Sequence, residues 1–267
     1  MRLAGHPNGE RVTFQHHITH NSPGMYAALH CHNYFELIYL VSGDIVHVVE
    51  GRKYRLRPGD LVLVKPSTYH YLQILSGETY ERYKVHFDPK YHGVEAANHI
   101  PREMEVVNIS QNATLVNLFE KMDMYSKVDE ENFDTLMRLL LNELFLHLQL
   151  FPLEQQKEDT LSPILTKALE YINENLFTIA DVNEVAEALF ISESYLFRLF
   201  RTSLRQSPKK YIRDKRLLAA QRRIRRGMTP TAACKECGFK EYATFFRSYT
   251  AFFGHSPSQD KAPQELL

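Results

Sequence analysis

The sequence predicts an α+β protein of two domains: an N-terminal antiparallel β-barrel with following helices, then an all-α domain. Three observations carry this prediction. Residues 10–90 are a series of short Val/Ile/Leu/Tyr-rich runs broken by Gly and Pro. After about residue 105 the apolar residues recur at three and four positions, and near the C-terminus one helix-turn-helix pattern occurs twice.

In chain order, "LIYLVSG", "DIVHVVEG", "KYRLRPG", "DLVLVKP" and "YERYKVHF" read as strands, punctuated by Gly43, Gly51, Pro58-Gly59 and Pro66. Gly51 marks a tight hairpin. His16, His17, His20 and His47 lie among polar or strand residues and read as surface groups. Leu115, Leu118, Phe119 and Met122 form one helical stripe; Phe133, Leu136, Met137, Leu140, Leu141, Leu144 and Leu148 form a second, wider one. That wide stripe can pack on its own domain or form a homodimer seam, and both readings stay open. "FPLEQQKEDTLSP", polar and with two prolines, reads as a linker. The expected divisions are a sensing barrel at 1–105, a helical dimerisation segment at 106–150, a linker at 151–161 and a helical domain at 162–260.

The 267 residues, 44% hydrophobic and 24% charged, suffice for two globular cores. The longest apolar run, Leu139–Phe151, is interrupted by Asn142, Glu143, His147 and Gln149, well short of the roughly 20 apolar residues of a membrane span. Gly5, His6, Pro7 and Asn8 interrupt any signal-peptide core, so a cytoplasmic protein without a membrane partner is expected. Cys31, Cys234 and Cys237 are too few for a disulfide framework. Cys234-x-x-Cys237 lacks a second pair for zinc and reads as two core residues one helical turn apart.

The zero net charge is unevenly spread. From Thr160 onward there are 17 Lys and Arg against 11 Asp and Glu, and before it 15 against 21. Tyr195–Arg226 holds 12 basic residues and a single acid, Asp214, a density that suits a polyanion.

The repeat sets "LFRLFRTSLRQSP" from Leu196 against "FFRSYTAFFGHSP" from Phe245. At an offset of 49, Phe197 meets Phe246, Arg198 meets Arg247 and Ser207-Pro208 meets Ser256-Pro257. Each copy reads as a short helix, a turn and a second helix able to enter a major groove. In the first, Val182–Leu189 leads to the turn Phe190-Ile191-Ser192, with Ser192 capping the next helix. In the second, the turn carries Gly238-Phe239 and the helix runs from about Tyr242 to Phe252. Ser207-Pro208 and Ser256-Pro257 read as cap and first turn of further helices. Leu196, Leu199, Phe200, Phe245 and Tyr249 should be buried. Ser194, Phe197, Arg198 and Arg201 should face outward, with Ala243, Phe246 and Arg247 as counterparts of the first three. Arginine there can grip guanine bidentately and Phe can pack on thymine methyls, though either Phe can also be simple core. Ser192, Arg201, Ser207, Lys209, Lys210 and Ser256 are candidates for the DNA backbone.

The motifs "VAEALFISESYLFRLFR", "SPKKYIRDKRLLAAQRRI" and "CGFKEYATFFRSYTAFFGHSP" resemble the DNA-binding domain of AraC/XylS transcriptional regulators over about 100 residues. The resemblance implies two helix-turn-helix units joined by a long helix and reading successive major grooves. It departs at Phe190 and Arg205, where the family has glycine, and at Thr250-Ala251, where it has a basic pair.

"HCHNYFE" belongs to Gly24-x5-His30-x-His32-x3-Glu36-x6-Gly43, the spacing of the first cupin motif. The second motif is approximate: Gly59, Pro66 and His70 are present, with one residue missing between Pro and His. The N-terminal part thus resembles the cupin barrel that serves such regulators for sensing and dimerisation. His30, His32, Glu36 and His70 are candidate ligands for Zn, Ni, Mn or Fe; they equally suit a metal-free pocket for a sugar or another polar effector. The expected molecule is a ligand-responsive regulator of a carbohydrate or small-molecule operon, not an enzyme. Its partners would be double-stranded operator DNA, a small-molecule effector, a second copy of itself and RNA polymerase. A metal-dependent cupin enzyme is the rival, weakened by the incomplete second motif.

Overall fold

A computed structural model describes residues 12–20, 23–24, 29–89, 93–101, 104–150, 154–155 and 162–260. The chain divides into two units, residues 1–159 and 160–267.

The described residues of the first unit form nine strands: β1 (Thr13–His20), β2 (Phe35–Ser42), β3 (Ile45–Val49), β4 (Arg52–Leu56), β5 (Asp60–Val64), β6 (His70–Ile74), β7 (Thr79–Phe87), β8 (Val106–Asn108) and β9 (Glu154–Gln155). Among the described residues they form two antiparallel sheets, β1-β7-β2-β5-β8-β9 and β4-β3-β6, the two facing walls of the expected cupin-like fold. The β3–β4 hairpin turns at Glu50-Gly51, both at positive φ (47° and 83°), as a two-residue turn matched to strand twist requires. Alternation then sorts the side chains. Ile38, Leu40, Val62 and Val64 of the large sheet meet Ile45, Val49, Leu56 and Leu72 of the small one.

The other face of the large sheet, including Phe35, Leu37, Tyr39, Val85 and Phe87, is covered by α1 (Ala113–Tyr125) and α2 (Glu130–Leu150). Asn112 caps α1 by accepting from the Leu115 N–H. Leu115, Leu118, Phe119, Met122, Met137, Leu141 and Leu144 are all buried in this layer, each contributing about 1.5–3 kcal/mol. The wide α2 stripe therefore packs on its own unit, while Leu139, Leu146 and Leu150 stay exposed. Two departures from expectation stand out. Glu154–Gln155, inside the expected linker, forms an edge strand on β8 because extended polar backbone can complete a ladder without apolar side chains. His47 is buried, since its strand position points between the sheets.

The second unit comprises α3 (Pro163–Glu174), α4 (Val182–Ala188), α5 (Glu193–Leu204), α6 (Pro208–Arg225), α7 (Pro230–Glu236) and α8 (Tyr242–Phe253). Asp181, Ser192, Ser207 and Thr229 cap α4, α5, α6 and α7, each accepting a backbone N–H three residues on. Ser256-Pro257 opens a 3₁₀ turn, Pro257–Asp260, the last of the described residues. Asp260 accepts from Tyr249, Gln221 and Arg225, which ties the segment down. Leu217, Ala220, Ile224, Cys234, Cys237, Phe245 and Tyr249 form one core. Both cysteines are thus packing residues.

Candidate functional site

The structure gathers His32, Glu36 and His70 between the sheets of the first unit, with His30 at the exposed edge. His30 joins the cluster through a two-bond bridge to His70, N to O at 3.1 and 3.0 Å. One ligand atom from each of these four residues lies within 4.8 Å of the others. His86, unremarked in the sequence, stands opposite Glu36 in the β2–β7 register. Its Nε2 is 2.8 Å from Glu36 Oε2. His32 Nε2 lies 3.1 Å from the same oxygen and His70 Nε2 3.8 Å. The signal for His86 was available in the alternation of "YERYKVHF", which puts it on the face opposite Val85 and Phe87, but no motif pointed to it.

Backbone carbonyls fix the rings. His32 Nδ1 donates to Tyr34 O at 2.9 Å and His70 Nδ1 to Thr68 O at 3.0 Å, while the Tyr34 ring stacks on His32 at 3.9 Å. A neutral imidazole has a single N–H, so His32 has one proton to share between Tyr34 O at Nδ1 and Glu36 Oε2 at Nε2. His70 Nε2 is buried without a hydrogen-bond partner. Burial lowers the His32 pKa to about 4, against the pull of Glu36. Burial alone would raise the Glu36 carboxyl; its imidazole neighbours outweigh this and hold it well below the usual carboxylate range. At neutral pH an ionised Glu36 therefore faces a neutral His32.

In the second unit, Leu196, Leu199, Phe200, Phe245 and Tyr249 are buried as expected. Ser194, Arg198 and Arg201 of α5 are exposed, as are Ala243, Phe246 and Arg247 of α8, whereas Phe197 is half-buried. Arg198 already stacks on Tyr195, with Cζ 5.0 Å from the ring centre. Among the expected backbone contacts, Ser192 and Ser207 spend their hydroxyls on caps, and Lys210 Nζ lies 2.5 Å from buried Asp214. Lys209 is exposed.

The two helix-turn-helix units meet at the middle of α6. Arg216 donates Nε to Leu176 O (2.7 Å) and Nη2 to Ile179 O (2.6 Å), both in the α3–α4 connection, and Nη1 to Gly238 O (3.0 Å) in the second turn. Gly238 has φ +76°, and a Cβ there would sit 2.4 Å from Phe177 O. Phe177 lies in turn 4.5 Å from the Arg223 guanidinium. One arginine thus holds both units.

These features define a class: a two-part regulator with a sensing domain and a paired helix-turn-helix reader. Residues 16–158 match the family model of the AraC-like ligand binding domain and residues 185–262 that of a helix-turn-helix domain. The chain belongs to the AraC family and is a ligand-responsive DNA-binding transcriptional regulator rather than an enzyme. Similar proteins include the lactose operon transcription activator of Staphylococcus xylosus, 23% identical over 84% of this chain and 76% of the relative. The raffinose operon regulatory protein of Pediococcus pentosaceus is 30% identical over 34% of this chain and 33% of its own. Among solved structures, fatty-acid-bound ToxT of Vibrio cholerae is 13% identical, covering 95% of this chain and 96% of its own, with a TM-score of 0.41. Among the described residues no helix is long and apolar enough to cross a membrane.

Proposed function

We propose that this regulator responds to a carbohydrate bound between the two sheets of its first unit, at a divalent cation held by His30, His32, Glu36 and His70. His86 orients the carboxylate. The carrying observation is the meeting of possible ligand atoms at Glu36: Nε2 of His32 and of His70 lie 3.1 and 3.8 Å from Oε2, and His70 Nε2 is buried without a hydrogen-bond partner. A cation among them would bind the Glu36 carboxylate and give His70 Nε2 a partner. The nitrogen-rich set suits Zn, Ni, Mn or Fe, and such an ion would supply a Lewis-acidic docking point for an effector hydroxyl. The sugar class draws support from the lactose and raffinose operon regulators among its relatives.

On the DNA side, Ser194, Phe197, Arg198, Ala243, Phe246 and Arg247 read bases, and Arg201 and Lys209 touch phosphates. The coupling of the two halves is testable with an operator selected from random DNA. Zn(II) should change the operator affinity of the full chain about fivefold or more, the usual scale of allosteric coupling, and leave Glu36→Gln unmoved. Equal responses in the two proteins would sink the cation's role.

A further inference from the structure

Next to the Glu36 cluster, the space between the sheets carries buried polar atoms that the protein itself does not satisfy. His47, 1% exposed, has an unpartnered Nδ1, and Tyr80, 4% exposed, an unpartnered hydroxyl. Arg82 buries Nε without a partner, its Cζ 5.5 Å from the centre of the Tyr80 ring. A buried donor or acceptor left unpaired is costly, so neighbouring ones call for a shared explanation.

Strand geometry aims them at one space. Tyr80, Arg82, Lys84 and His86 occupy alternate positions of β7, on the face that in β2 carries Glu36. His47 comes from the facing sheet, between Ile45 and Val49, whose side chains pack in the same layer as Tyr80. The local charge is positive. No carboxylate among the described residues pairs with Arg82, and neighbouring Glu81 is spent on His16 at 2.8 Å. Burial first, then the charges of Arg82 and Lys84, lowers the His17 pKa; burial first, then Arg82, lowers that of Lys84 despite Glu36. Glu36 itself is engaged by imidazoles.

We propose that this wall receives the charged end of the effector, so that the effector is an anionic sugar. Its hydroxyls meet the His32–Glu36–His70 cluster, its carboxylate or phosphate lies on Arg82, and Tyr80 and His47 complete the hydrogen bonds. The proposal rests on the carbohydrate reading above and names the class of sugar. It also explains why Arg82 has no counter-ion among the described residues: an internal carboxylate would compete with the ligand.

The test is calorimetric titration of the full chain with galacturonate and glucose 6-phosphate against neutral galactose and glucose. At least one anion should bind on the order of tenfold or more tightly than its neutral counterpart, and which one binds separates carboxylate from phosphate. Arg82→Gln should cost that anion on the order of 10–100-fold, the scale of a charge-assisted hydrogen bond. Tyr80→Phe keeps the ring and removes only an unsatisfied hydroxyl, so the ligand-free melting temperature should hold or rise while the anion binds more weakly. A merely structural role would not give that pairing. Neutral sugars binding as well as the anions, or an anion indifferent to both substitutions, would overturn the proposal and leave the carbohydrate reading intact. No binding by any of the four would overturn both.

Discussion

Phe190 and Arg205 adopt left-handed backbone, φ 55° and 52°, at the two positions where the AraC/XylS resemblance implies glycine. Left-handed φ costs a non-glycine residue roughly 1–2 kcal/mol, and at 97% exposure the Phe190 ring recovers nothing by packing. Glycine gives back about 0.5–1 kcal/mol through unfolded-state entropy. Phe190→Gly should therefore stabilise the second unit by about 0.5–1 kcal/mol in denaturant unfolding; a loss would mean that the ring makes a contact in the folded chain. DNA reading separates by residue in the same way. Arg198→Ala should cost about 1–3 kcal/mol at a single base position, whereas Lys209→Ala should weaken all sequences alike. Equal losses for Arg198→Ala on operator and random DNA would remove it from the base-reading set. At this scale the sequence was legible where spacing carried meaning, as in His30-x-His32-x3-Glu36 or the offset of 49 between Arg198 and Arg247. It did not single out His86 and it placed His47 at the surface, because a lone histidine in a strand carries no motif and shows its partners only once the register is known.

At the scale of elements, helices were the most readable, since capping and the three-to-four spacing are local. Asp181, Ser192 and Ser207 mark helix starts directly. Strands β8 and β9 were hidden because two or three residues give no alternation to read, and the pairing of Val107 with Gln155, 48 positions on, is a tertiary event. The Arg216 clamp is likewise invisible in sequence, although it bonds three carbonyls in two turns. Lysine is a point donor and cannot span them. Arg216→Lys should thus loosen the separation of the recognition helices α5 and α8. In site selection from random DNA, wild type should return two sequence blocks at one fixed spacing and the variant a spread of spacings. The same fixed spacing in both would show that α6 alone sets the distance.

For the whole molecule, the charge division matches the division of labour: the basic excess lies in the half that reads DNA and the acidic excess in the half that senses. The proposed link between the two functions is a cation-centred pocket whose occupancy sets DNA affinity, so the central claim is the cation. The most direct measurement is elemental mass spectrometry of the full chain purified without a metal-affinity column, beside His70→Ala, which removes a proposed ligand atom that has no hydrogen-bond partner. A stoichiometric transition metal in wild type, lost from His70→Ala, is the predicted result. A metal-free wild type that stays metal-free after exposure to Zn, Ni, Mn and Fe would contradict it, leaving the Glu36 cluster as hydrogen-bonding groups for an organic ligand alone.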